Sequence, residues 1–150
     1  MRIFPLPPKK RREVQEMKYV VLLGRVLYAA IFVLSAPGHF TSETIAYAAG
    51  KGVPLATFAV PLSGIISFVG GISIILGLKA RYGAWLIVLF LVPVTVMMHN
   101  YWAVSDPIAA RTQYIMFIKN VSMLGAALLI AWSGSGPLSL DNVRKKDSAR

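Results

Sequence analysis

Four apolar stretches of near-bilayer length, at about residues 18–37, 55–78, 82–98 and 114–132, constrain this chain more than any other feature. In hydrocarbon a backbone must satisfy its own polar groups, which leaves helices or closed barrels. Runs of about 20 residues match helices crossing a core roughly 30 Å thick. With 56% hydrophobic and 15% charged residues in a chain of 150, the composition is too apolar for a soluble domain of this size. The fold class expected is therefore all-α integral membrane, a four-helix transmembrane bundle. It divides into a basic tail (1–17), a four-span domain (18–133) and a second basic tail (134–150).

Charge sets the orientation. A net charge of +10 in a soluble chain would point to nucleic acid, but here the basic residues gather in the two tails and one short loop, so no nucleic-acid partner is expected. With Arg25 and Lys119 left aside as intramembrane, one side holds Arg2, Lys9, Lys10, Arg11, Arg12, Lys18, Lys79, Arg81, Arg144, Lys145, Lys146 and Arg150. The other holds only Lys51 and Arg111. The positive-inside rule then predicts both termini in the cytoplasm and a multi-pass plasma (bacterial inner) membrane location. The first tail, with Pro5, Pro7 and Pro8, reads as mostly disordered. Arg25 interrupts any signal-peptide core and no convincing A-x-A site follows, so the first span is expected to be retained.

Along the first span Arg25, Tyr28, Phe32, Ser35 and His39 fall near one helical face. Pro37-Gly38 should end or kink that helix. Thr41-Ser42-Glu43 offers helix-start chemistry for a short interfacial helix between spans one and two, closed by Gly50 and turned back by Gly52-Val53-Pro54. In the second span Ser63, Ser67 and Gly71 recur every four residues, a small-residue stripe suited to close helix packing. Thr95, His99 and Trp102 share a face at the end of the third span.

The fourth run carries Lys119-Asn120, and an intramembrane lysine costs roughly 2.5–3.5 kcal/mol at mid-helix on insertion scales. It either faces the bundle interior, the preferred reading, or snorkels to the outer interface. Lys119 lies about 9 Å beyond Gln113 at 1.5 Å per residue. His39, His99, Asn100, Trp102, Lys119 and Asn120 therefore reach a common depth and form the candidate polar or ligand site. Arg25, nearer the cytoplasm, is a second intramembrane polar position that either reaches headgroups or organises an internal network. The histidines and Trp102 also have a structural reading, as hydrogen-bonded or interfacial residues. No catalytic residue can be named, and no metal site is expected. The absence of cysteine excludes disulfides, thiolate metal sites and covalently attached haem.

Leu23-Gly24-Arg25, Ser35-Ala36-Pro37-Gly38-His39-Phe40, Gly52-Val53-Pro54, Gly70-Gly71 with Gly77-Leu78, His99-Asn100-Tyr101-Trp102 and Phe117-Ile118-Lys119-Asn120 occur in an order and spacing that resembles the DoxX family. The resemblance covers about residues 21–141. It implies a four-helix membrane protein from the superfamily that includes DoxD-like and methylamine-utilisation-like subunits. Members are linked to thiosulfate or quinol oxidation and to quinone and oxidant stress, and often bear only a general oxidoreductase label. Two positions depart from the family pattern: Ser67 stands where an acid is usual, and His39 where a lysine is usual. The missing carboxylate removes the obvious counter-ion for Lys119.

Two function classes follow. One is a small redox-associated subunit, possessing no enzyme assignment of its own, that binds a quinone in the outer half of the bundle and joins a redox complex; imidazole, amide and ammonium groups suit a quinone's carbonyls. The other is a non-enzymatic module that assembles, escorts or stabilises a membrane protein partner, as more distant relatives acting as cargo receptors or receptor chaperones do. A b-type haem between His39 and His99 requires both rings to point inward and is disfavoured. The lipid bilayer is a partner under every reading.

Overall fold

The computed structural model describes the backbone of residues 8–148 and the side chains of residues 17–148. Its helices are α1 (Pro8–Ser35), α2 (Ser42–Gly50), α3 (Ala56–Leu76), α4 (Ala80–Met98), α5 (Pro107–Ser133) and α6 (Leu140–Asp147). Four segments, Met17–Phe40, Ala56–Leu76, Ala80–Ala103 and Pro107–Ser133, are long and apolar enough to cross a membrane. The chain is an all-α, multi-pass membrane protein. The end of the bundle carrying α6 and the α3–α4 turn is called here the terminal end, and the end carrying α2 the loop end.

Helix α3 packs against both α1 and α4, and α4 packs against α5, while a hydrogen bond from Tyr28 brings α1 to α5 as well. Missing side-chain volume makes these seams close. A Cβ on Gly71 would lie 2.8 Å from Val33 Cγ2 and 3.2 Å from the Ala29 carbonyl oxygen, so α1 rests almost on the α3 backbone. A Cβ on Gly70 would lie 2.9 Å from the Gly83 carbonyl oxygen, which is the same relation across the α3–α4 seam. Lipid tails are as apolar as leucine, so helices associate in a membrane through such close packing and through polar contacts rather than by escaping water. The core between the helices consists of Ala29, Phe32, Ile74, Ala84, Ile87, Phe90, Leu91 and Ala127.

Local signals account for the joints. Helix α1 gives way at Ser35 to a 3-10 turn, Ala36–Phe40, which carries Pro37 near its start. Thr41 then caps α2, its Oγ1 accepting from the Thr44 amide at 3.3 Å. Helix α2 packs against the start of α3 through Ala48, Ala56 and Val60, closing the loop end. Asp106 caps α5, its Oδ2 accepting from the Ala109 amide at 2.7 Å, with Pro107 in the first turn, where a missing N–H costs nothing.

The N-terminal tail departs from the expectation. Helix α1 already begins at Pro8, so the basic stretch 9–12 is helical rather than disordered. Its Lys, Arg, Glu, Gln and Met residues are straight-chain helix formers, and proline suits the first helical turn. Residues 1–7, which complete that tail, lie outside the described residues. At the other end, residues 134–142 fold back onto the bundle and lead into α6, which Ser139 caps by accepting from the Asn142 amide at 3.3 Å.

Candidate functional site

His39 sits on the 3-10 turn after α1, with Nδ1 2.9 Å from Ser63 Oγ on α3. The Ser63 hydroxyl donates to the Val60 carbonyl at 2.7 Å, so the proton between His39 and Ser63 belongs to Nδ1, and Nδ1 donates. The ring tilts against Phe90 at 5.6 Å. Gly64 makes this approach possible, because a Cβ there would lie 2.7 Å from His39 Cβ. Ser67, one turn further on and fully buried, donates to the Gly64 carbonyl at 3.0 Å. The Ser63–Ser67–Gly71 stripe is therefore the surface on which α1 and its terminal turn lie.

His99 ends α4, and its Nδ1 donates to Gln113 Oε1 on α5 at 2.9 Å. Thr95, one turn earlier, is buried and donates to the Leu91 carbonyl at 2.6 Å. Beyond His99, Tyr101 stands at the centre of an edge-to-face aromatic cluster with Trp102 at 5.1 Å, Tyr114 at 5.2 Å and Phe117 at 5.5 Å. Trp102 is exposed, as an interfacial anchor would be. Asn100 Oδ1 is buried without a hydrogen-bond partner.

Lys119 and Asn120 part company. Successive helical residues lie about 100° apart, so the two need not face the same way. Asn120 is the buried one, and its side chain makes no hydrogen bond among the described residues. Lys119 is exposed on the membrane-facing side of α5, its Nζ 3.9 Å from Met116 Sδ one turn towards the loop end. Helical side chains lean towards their N-terminus, which for α5 is the loop end, so Lys119 snorkels along the helix rather than into the bundle. His39 closes the α1–α3 seam, His99 closes the α4–α5 seam, and Lys119 joins neither. Among the described residues, no three His, Asp or Glu side chains come together as a metal site.

At the terminal end Arg25 is 4% exposed and organises an internal network. Its Nη1 donates to the Ser135 carbonyl and its Nη2 to the Leu138 carbonyl at 2.7 Å, while Nε has no partner. The Asp141 carboxylate, close enough to act electrostatically on Arg25, accepts twice from the Lys79 amide, at 2.9 and 3.0 Å. The Asp141 amide in turn donates to the Gly77 carbonyl at 3.1 Å. Lys79 has φ +50°, and the carboxylate offsets a left-handed conformation that costs about 1–2 kcal/mol in a residue with a Cβ. Gly77, at φ +64°, lies against the Ser139 side chain and the Arg25 guanidinium. One turn along α1, the Tyr28 hydroxyl donates to the Met123 carbonyl at 3.0 Å, linking α1 to α5.

Sequence reasoning missed Gln113 and Asp141. A lone Gln in the first turns of a span gives no signal. Asp141 was readable, since Ser139-Leu140-Asp141 is a serine cap with an acid in the first turn.

Comparison with known proteins agrees with this architecture. The DoxX family profile matches residues 20–100. The inner membrane protein YphA of Escherichia coli is 32% identical over 124 residues, covering 81% of this chain and 88% of that protein. The inner membrane protein YqjF of the same organism is 30% identical over 128 residues, covering 84% and 92%. A Saccharomyces cerevisiae protein, the ER-derived vesicles protein ERV29, is 27% identical over 81 residues, 54% of this chain and 26% of its own length. No solved structure matches. With half of its length matched by the profile and nearly all of two bacterial relatives aligned to it, the chain belongs to the DoxX family.

Proposed function

We propose that this protein is a non-enzymatic module of the bacterial inner membrane, with its terminal end in the cytoplasm, that docks and steadies a partner membrane protein through the exposed face of α5. The observation that carries the reading is how the intramembrane polar groups are used. Arg25, Tyr28, His39, His99, Ser63 and Ser67 are each engaged within the fold, whereas Lys119 is left on the membrane-facing surface. A quinone or proton-relay site would draw several such groups around one cavity. Here they are distributed among the helix seams instead.

Helix α5 suits a docking role. It is the least buried of the four spans, and it exposes Ile115 and Ile118 next to Lys119 and Leu129 further along. A lysine held in hydrocarbon is costly unless it reaches an interface or meets an opposite charge. An Asp or Glu at the same depth of a partner helix would offset that cost and fix register. The two bacterial relatives are named for the inner membrane, and the yeast relative for ER-derived vesicles; none of the three names refers to a reaction. The test is a photo-crosslinker placed at Ile118 in native membranes. A discrete protein adduct that falls at least tenfold with Lys119→Leu supports the reading. Lipid adducts alone, or an unchanged pattern in the variant, would refute it.

A quinone-associated role has one observation in its favour. Asn100 Oδ1 is buried and unpaired beside His99 and the aromatic cluster, and a quinol hydroxyl is a donor of the kind it lacks. Lipid quinol should then raise the thermal stability of the wild type more than that of Asn100→Leu or His99→Ala. Equal responses would remove this reading.

A further inference from the structure

A cleft of about 390 Å³ opens at the terminal end between the α3–α4 turn, the end of α5 and the start of α6. Three cations, Lys79, Arg81 and Lys145, line it from three different elements. Asp141 is the one carboxylate among the lining residues, and it is already engaged by the Lys79 amide and by the Ser135 hydroxyl at 3.2 Å. Three positive charges less one negative leave the walls with an excess of two. Like charges placed this close repel one another unless an anion lies between them.

The cleft is built rather than incidental. Gly134 and Gly136 take φ +82° and +72°, and a Cβ on Gly134 would lie 3.1 Å from Arg81 Nε, so glycine lets the guanidinium lie close over the loop. From inside the bundle Arg25 holds the Ser135 and Leu138 carbonyls, which fixes the floor. The residues around the cleft are of the kind found at headgroup level. Tyr82 on its rim and Trp132 beside Ser133 are strongly exposed, as in the aromatic belt of a membrane interface, and α6 exposes Leu140 and Val143 next to Arg144, Lys145 and Lys146. The volume falls within the roughly 300–1,000 Å³ of small-ligand sites.

We propose that this cleft binds a phosphate group presented at the membrane surface, either the headgroup of an anionic phospholipid or a soluble phosphate compound. The Arg81 guanidinium offers a planar fork to two phosphate oxygens, and the ammonium groups of Lys79 and Lys145 act as flanking point charges. Docking at α5 is not required for this site, and either conclusion stands without the other.

The test is thermal unfolding of the purified protein. One arm compares phosphatidylcholine nanodiscs with nanodiscs containing phosphatidylglycerol; the other adds inorganic phosphate in neutral detergent at constant ionic strength. Near-saturating ligand should raise the midpoint by about 5 °C in the wild type. Changing Lys9, Lys10, Arg11 and Arg12 to Gln, which removes general basic attraction, should keep that rise. Arg81→Gln with Lys145→Gln should abolish it, and Lys145→Gln alone, on an exposed face of α6, should roughly halve it. A rise with phosphatidylglycerol alone identifies a lipid headgroup, and a rise with inorganic phosphate identifies a soluble or shared site. No rise in the wild type, or an equal rise in the Arg81 and Lys145 variants, would overturn the proposal.

Discussion

Replacing Arg25 by Met should detach the C-terminal segment while leaving the spans assembled. Methionine keeps much of the stem volume but leaves the Ser135 and Leu138 carbonyls without their donors. Hydrogen bonds from a charged donor are worth about 1.5–3 kcal/mol each, so two bonds set a gross loss of about 3–6 kcal/mol. Part of this is recovered, because Nε is buried without a partner and the cost of desolvating the guanidinium disappears with the side chain. A net weakening near 3 kcal/mol corresponds to about a 150-fold increase in local opening. Hydrogen exchange followed by mass spectrometry reads this directly. The Asp141 amide, bonded to Gly77, and the Asn142 and Val143 amides, bonded to Ser139, should exchange about 150-fold faster by the same arithmetic, while amides in α3 and α4 keep their protection. A change at Asp141 of less than about threefold, which is under 1 kcal/mol, would refute the lock. So would an equal loss throughout α3 and α4, because Arg25 would then support the whole bundle rather than one segment.

Gly77→Ala attacks the same joint from the other side. It combines a left-handed φ, costing about 1–2 kcal/mol, with overlap against Ser139 and Arg25, so a lowered melting temperature and faster exchange at Asp141 are expected. Gly64→Ala should lower thermal stability by about 1–3 kcal/mol through overpacking, since the new methyl displaces His39 from Ser63; circular dichroism melts would register it, and an unchanged midpoint would contradict the close approach. In a double-mutant cycle, His99→Ala and Gln113→Ala should show a coupling of about 0.5–1.5 kcal/mol, and additive effects would mean that no bond joins them. Lys119→Leu should leave the melting temperature of the isolated protein unchanged or raised, because nothing in the bundle depends on the ammonium group.

The spans, the short helix between the first two and the break at Pro37 were legible because each rests on strong local physics: hydrophobic length, a threonine cap and a residue that cannot continue a helix. The α1 polar stripe was legible for the same reason. Arg25 and Phe32 are buried and Tyr28 and His39 half-buried, though Ser35 at the end of the helix is exposed. The side of α5 that faces inward was not legible. Its apolar residues run almost all the way round, so the pattern assigns no inner face, and Lys119 and Asn120 offered two polar markers about 100° apart. Depth calculated from residue counts says nothing about direction. The place of the C-terminal segment was not legible either, because the partner that fixes it, Arg25, lies 110 residues before Ser135.

Ser67 and the outward Lys119 are two sides of one arrangement. A carboxylate at 67 would be fully buried against α1 and would need a cation or several donors, whereas serine satisfies its own hydroxyl on the Gly64 carbonyl one turn away. With no buried acid, an inward Lys119 would have no counter-ion, and the low-cost direction for its ammonium is along α5 towards the interface. The bundle is then free to use its remaining polar groups one seam at a time: His39 with Ser63 between α1 and α3, Tyr28 with Met123 between α1 and α5, His99 with Gln113 between α4 and α5. In a medium that gives apolar helices little reason to prefer each other over lipid, such paired contacts set register. The corollary is directional. Restoring an acid with Ser67→Glu should destabilise the protein sharply, and adding a second change that turns the lysine inward, Lys119→Leu with Asn120→Lys, should recover part of the loss; no recovery would mean that positions 67 and 120 do not share the bundle interior.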